Sequence, residues 1–175
     1  MMEYDFELKF RLPADSPTAD ELVERLGAAG CDDALVGIGQ PGRIALDFSR
    51  EAESAKEAIV SALADVRKAI PGAKLIEVSP DFVGLTEVAE FVGVSRQNMR
   101  KLWLTHATSF PAPIHEGTSV LWHLAFVLQW LQEHGSYHVE RALLDVARIA
   151  MQVNLAKEID HITPRAQQKR RAFVA

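Results

Sequence analysis

The chain has 175 residues, 48% of them apolar, and a formal net charge of −5. That apolar share supports one or two packed domains, and no apolar run is long enough to span a bilayer, so no membrane partner is expected. A single cysteine, Cys31, excludes an internal disulfide and a thiolate zinc framework. The opening Met-Met-Glu-Tyr-Asp-Phe-Glu has neither the basic nor the apolar region of a signal peptide, so the expected location is the cytoplasm. The charge is unevenly placed. Residues 1–80 hold 9 Lys and Arg against 15 Asp and Glu, a balance of −6, whereas residues 81–175 hold 10 against 9, a balance of +1. Two domains with different partners are expected, and a balance of +1 argues against tight nucleic-acid binding by a monomer.

Tyr4, Phe6, Leu8, Phe10 and Leu12 alternate with Asp5, Glu7, Lys9 and Arg11, the period of a strand with one buried and one wet face, which Pro13 ends. Thr18 and Glu21 form a capping box, and Leu22, Val23, Leu26 and Ala29 make a helical stripe closed by Gly30. Cys31 to Ile38 reads as a second strand, residues 39–42 as a turn, and Ile44, Leu46 and Phe48 as the third strand of a hairpin. Ser54 and Glu57 repeat the capping box before a helix lined by Ile59, Leu63, Val66 and Ile70. Pro71-Gly72 stops it, and Lys74 to Ser79 supplies a last strand. The order βαββαβ resembles the ferredoxin-like split fold, whose functions range from subunit pairing to small-ligand sensing. The exposed aromatic pair of an RNA-binding sheet and a paired-cysteine metal loop are both lacking, and the Gly37–Gly42 stretch lacks the Gly-Lys-Ser/Thr ending of a phosphate loop.

Ser79-Pro80-Asp81 is a short connection. Beyond it, Val88, Ala89 and Val92 form the stripe of a short helix that Leu85 or Thr86 opens and Gly93 breaks. Ser95 caps a second helix whose Met99, Leu102 and Trp103 can pack on the first, with small Ala89 permitting close approach. Its other residues, Arg96, Gln97, Asn98, Arg100 and Lys101, are those suited to guanine edges, adenine edges and phosphates, so the pair reads as a DNA-binding helix-turn-helix. Phe110-Pro-Ala-Pro-Ile114 suits an extended edge strand and Val120 to Trp122 a return strand, giving a small wing with Gly117 in its turn. Leu124 to Glu133 is helical. Residues 139 to about 162 then carry a long stripe of Val139, Leu143, Val146, Ala150 and Val153, which a partner helix is expected to cover. Pro164 stops that helix before the basic run Arg165 to Arg171.

Leu-Thr-Glu-Val-Ala-Glu-Phe-Val-Gly-Val-Ser-Arg-Gln, then Phe-Pro-Ala-Pro, then a Trp before a helix ending in Trp130-Leu131, resembles the winged helix-turn-helix of the MerR-like and excisionase-like group over residues 82–134. The resemblance implies a reading helix carrying Ser95, Arg96, Gln97, Asn98, Arg100 and Lys101, and a wing that touches phosphate. The wing here has no Lys or Arg, leaving Thr118, Ser119, His115 or His123 for that role. All six histidines lie in the second half; the nearest pair, His134 and His138, straddles a helix end and makes a poor metal site.

The expected fold class is α+β, with a ferredoxin-like domain over 1–80 for dimerisation or sensing, a winged helix-turn-helix over 81–135, and a C-terminal dimerisation helix with a basic tail over 136–175. The expected function is a sequence-specific regulator that binds double-stranded DNA as a homodimer, with a small-molecule effector or partner protein at the first domain. The alternative is an antitoxin or phage-defence accessory that mainly binds a partner protein. The residues show no nucleophile motif, metal spacing or cofactor loop, so neither catalysis nor a cofactor is expected.

Overall fold

The alternation at the start of the chain builds β1 (Met2–Arg11), which pairs antiparallel with β3 (Arg43–Ala52) and β4 (Lys74–Ser79), while β2 (Ala34–Gly37) pairs with β3. The strand order is β2-β3-β1-β4. Even-numbered residues share one face: Phe6 lies opposite Phe48 with rings stacked 5.2 Å apart, Leu8 opposite Leu46, and Phe10 opposite Ile44. On that face pack α1 (Ala19–Ala29), through Leu22 and Leu26, and α2 (Ala55–Ala69), through Ile59, Leu63 and Val66. The other face, with Asp5, Asp47 and Ser49, is open to solvent. The computed structural model describes residues 1–163, in which six helices and two antiparallel sheets form a mixed α/β chain.

Local chemistry sets the helix ends. Thr18 and Glu21 make the full capping box of α1, and Gly30 closes it in the left-handed region at φ 106°. At α2, Ser54 accepts from the Glu57 N–H, but the Glu57 carboxylate takes the N–H of Glu53, so only half of the expected box forms. Val23, expected in the buried stripe of α1, is 49% exposed because Leu22 and Leu26 occupy the contact line.

The second strand is shorter than Cys31 to Ile38, and Arg50 supplies the reason. Its guanidinium is buried over the Phe48 ring and donates to Asp33 at 2.6 and 2.9 Å, to Asp65 at 2.9 Å, to Ser61 at 3.0 Å and to the Gly30 carbonyl at 2.7 Å. These bonds draw residues 30–33 into a turn, so pairing starts only at Ala34. The same partners hold Arg50 in its charged form, the Asp33 bond most strongly.

The second unit contains β5 (Phe82–Val83), α3 (Leu85–Val92), α4 (Arg96–Thr105), β6 (His115–Glu116), β7 (Val120–His123) and α5 (Leu124–Glu133). One expectation is corrected here. The strand placed at Phe110–Ile114 forms instead at His115–Glu116, because Pro111 and Pro113 have no N–H to give and the first donor to β7 is Ile114. In addition, β5 pairs with β7 to make a three-stranded sheet, β5-β7-β6.

The final helix, α6 (Arg141–Ile162), joins the two cores. Val146 and Ala150 are buried in the core of the four-stranded sheet, while Leu144 and Ala147 are buried against the second unit. The stripe assigned from the sequence to a partner helix is therefore covered within the chain. Helical periodicity records that a face must be buried and not by what. Further along, α6 closes the edge of β4: Asn154 bonds both the N–H and the carbonyl of Val78, at 2.9 and 2.8 Å, and the Lys157 ammonium donates to the Ile76 carbonyl. The basic run Arg165 to Arg171 lies outside the described residues.

Two outcomes follow from these contacts. Asn154→Ala strands the Val78 peptide groups and one oxygen of Asp81, so urea unfolding should show a loss of about 2–4 kcal/mol, and a loss below about 0.5 kcal/mol would show that the edge contact is dispensable. Burial raises the Cys31 thiol to about 11, with Asp65 adding to the effect. Because the folded value lies above the unfolded one, this contribution to stability is complete below the unfolded pKa near 8.5 and is lost as pH rises toward 11. A disulfide reagent at pH 8 should therefore modify Cys31 only at the rate of unfolding.

Candidate nucleic-acid interface

The α3–α4 pair is positioned by its turn and by the core beneath it. Glu87 accepts from the Gly84 N–H at the start of α3. Gly93 ends that helix at φ 70°, a conformation that costs residues with a Cβ, and Val94 donates back to the Ala89 carbonyl at 2.9 Å. Ser95 accepts from the Asn98 N–H at 3.1 Å and opens α4. Buried Met99 seats α4 on Val88 and Ala89, with Leu102 and Trp103 flanking it. Trp103 meets Trp122 of β7 edge to face at 5.0 Å, and the Trp122 indole donates to the Pro111 carbonyl, fixing the connection that precedes the wing.

Arg96, Gln97, Asn98, Arg100 and Lys101 are all exposed. None of these side chains makes a hydrogen bond or ion pair within the described residues, in contrast to the fully engaged Arg50. At about 100° per residue, Gln97, Arg100, Lys101 and Leu104 fall within an arc of about 100°, with Arg96 and Asn98 on its opposite flanks. A shallow groove runs along this arc, lined by Gln97, Arg100, Lys101, Leu104 and Thr105. Leu104, 57% exposed, and Thr105 were not singled out from the sequence. The i, i+3, i+4, i+7 spacing from Gln97 to Leu104 was the available signal, but an apolar leucine is ordinarily assigned to the core.

Thr118 and Ser119 are exposed at the tip of the β6–β7 hairpin and do not line the α4 groove. The tip of the imidazole of exposed His115 lies 2.6 Å from where a Cβ at Gly117 would stand, so a side chain at 117 would displace that ring. His123 cannot take the phosphate role considered for it. It is buried, and its Nδ1 donates to the Asp81 carboxylate at 2.6 Å. His134 stacks on Trp130 at 3.7 Å and donates from Nδ1 to the Trp130 carbonyl, while His106 packs on the same indole. Those two histidines are packing groups of the α4–α5 junction.

No family model, curated protein or solved structure matches the chain.

The contrast between the two sides of α4 is measurable. Met99→Ala should cost about 2–5 kcal/mol by chemical denaturation, since it empties a fully buried site. Arg100→Ala should leave stability within about 0.5 kcal/mol. An equal loss in both variants would mean that Arg100 is structurally engaged.

Proposed function

We propose that the chain is a sequence-specific regulator that binds double-stranded DNA as a dimer, with α4 as the reading helix. The observation that carries this reading is the set of unengaged cations and amides on one exposed helix face. Arg100 and Lys101 suit guanine edges or phosphate, Gln97 and Asn98 suit adenine, and Leu104 suits a thymine methyl group. The N-terminus of α4 adds peptide N–H groups, with no acidic residue in its first turn to repel a phosphate. In this reading α3 and α4 are the helix-turn-helix and the β6–β7 hairpin is its wing. Thr118 and Ser119 are the wing groups that reach backbone.

The strand order β2-β3-β1-β4 with α1 and α2 on one face supports reading residues 1–80 as a ferredoxin-like domain. Its helix-covered face carries the core, so pairing or effector binding falls to its outer face or to the β2 edge. For pairing, α6 offers a second copy only its outer stripe of Leu155, Ile159 and Ile162, all exposed. Pairing matters because three cations on one α4 face make few phosphate contacts, and two copies double that number. The alternative role in binding a partner protein draws on the acidic sheet face and leaves the free cations of α4 unexplained.

Binding to genomic fragments selected by the full chain should be salt-sensitive and should favour two-fold-symmetric sites. The Arg96→Ala/Arg100→Ala variant should lose at least about 30-fold in affinity, and its salt slope should fall by about 2 per chain. Unchanged affinity in that variant would remove α4 as the reading helix.

A further inference from the structure

The two edges of the four-stranded sheet differ. Asn154 and Lys157 of α6 close the β4 edge. The β2 edge, from Ala34 to Ile38, has no Lys, Arg or Pro, and its register with β3 runs without a bulge, so the usual devices that blunt an edge are missing there. The pairing with β3 decides which backbone groups point outward. The Ser49 N–H donates to the Asp33 carbonyl at 3.1 Å, so Asp33, and by alternation Leu35 and Gly37, spend their peptide groups on β3. Ala34, Val36 and Ile38 turn theirs away from the sheet. The Ala34 N–H is taken by the Cys31 carbonyl at 3.3 Å. The Ala34 carbonyl, both peptide groups of Val36 and the Ile38 N–H have no hydrogen bond among the described residues. A second observation concerns the side chains. Leu35 and Gly37 share the outer face, where Leu35 is 78% exposed. Gly37 has no positive φ, and a Cβ there would meet nothing nearer than the Ala45 carbonyl at 3.8 Å. Within one chain, nothing calls for a glycine at 37.

We propose that the β2 strands of two copies of this chain pair antiparallel about a two-fold axis through Val36, joining two four-stranded sheets into one. Each Val36 then exchanges both of its hydrogen bonds with the partner's Val36, and each Ile38 N–H donates to the partner's Ala34 carbonyl. This register uses only the free groups, and the ladder stops at Ala34 because its N–H is already spent on Cys31. Leu35 falls opposite the partner's Gly37 in a pair without hydrogen bonds, and its side chain fills the space that the glycine leaves. On the helix-covered face, half-buried Val36 meets the partner's Val36 and small Ala34 meets the partner's Ile38, which extends the apolar core across the axis. No charged residue enters the ladder, so the acidity of the first domain does not set carboxylates opposite one another. The pairing supplies the dimer that the reading of α4 as a DNA-binding helix calls for, and rests on that reading for its role.

Sedimentation equilibrium of the full chain without DNA should show a monomer–dimer equilibrium, and the Val36 and Ile38 amides should exchange with deuterium more slowly as concentration rises through it. Gly37→Leu crowds the partner's Leu35 but finds space in its own chain, so it should weaken the dimer at least about 10-fold with an unchanged far-ultraviolet circular dichroism spectrum. Val36→Pro removes an outward N–H that no bond of its own chain uses and should weaken the dimer at least about 10-fold as well. If Val36→Pro does not fold, Gly37→Leu and the exchange of the two amides decide. A chain that stays monomeric up to about 1 mM, or a dimer equally strong in Gly37→Leu, would overturn edge pairing. The DNA reading fails separately. Edge pairing alone falls if the dimer is absent while DNA affinity still depends on Arg96 and Arg100. The reading of α4 alone falls if Gly37→Leu breaks the dimer while Arg96→Ala/Arg100→Ala leaves DNA affinity unchanged.

Discussion

The arrangement of the two units depends on one buried carboxylate. Asp81 is 1% exposed and sits two residues after the last strand of the four-stranded sheet. One oxygen takes the Nδ1–H of His123 from β7, and the other takes the Asn154 amide of α6 at 2.9 Å. Its peptide carbonyl accepts from Leu124, the first residue of α5, at 2.7 Å. A carboxylate this deep is costly unless hydrogen-bonded, by several kcal/mol, so β7, α5 and α6 must stay assembled around it. Asn154 extends the hub to Val78, which ties the same point to the sheet. Surface pairs such as Arg141–Asp145, at 3.7 Å with the Arg141 side chain 84% and Asp145 33% exposed, contribute little by comparison.

This hub turns α6 into a shared wall instead of a free arm. Apolar on both sides, the helix completes one core with Val146 and Ala150 and the other with Leu144 and Ala147. The charge segregation visible along the chain thereby becomes a segregation across one body. The acidic outer face of the sheet is held in place by the same helix that steadies the basic α4 through α5 and Trp130.

The sequence showed most clearly what short-range physics decides. Alternation gave β1 and β3, capping hydroxyls gave the starts of α1, α2 and α4, and Gly93 gave the break between α3 and α4. Features that depend on distant residues were not legible. The shortening of β2 comes from Arg50, a residue 17 positions away from its partner Asp33. Two-residue β5 is too short to show a period, and it exists because β7 has a free side. The burial of His123 follows from Asp81, 42 positions earlier. At the candidate interface, residue type pointed to Arg96–Lys101, but the exposure of Leu104 reflects where the core stops beneath α4, which the helical period alone does not state.

The coupling of the two units is tested most directly by ¹⁵N relaxation of the full chain. If Asp81, His123 and Asn154 hold the halves together, the backbone amides of residues 2–79 and of residues 82–133 should report one rotational correlation time and one diffusion tensor. Two distinct correlation times, with the shorter belonging to the smaller second unit, would contradict the account and show two domains that reorient independently on either side of Asp81.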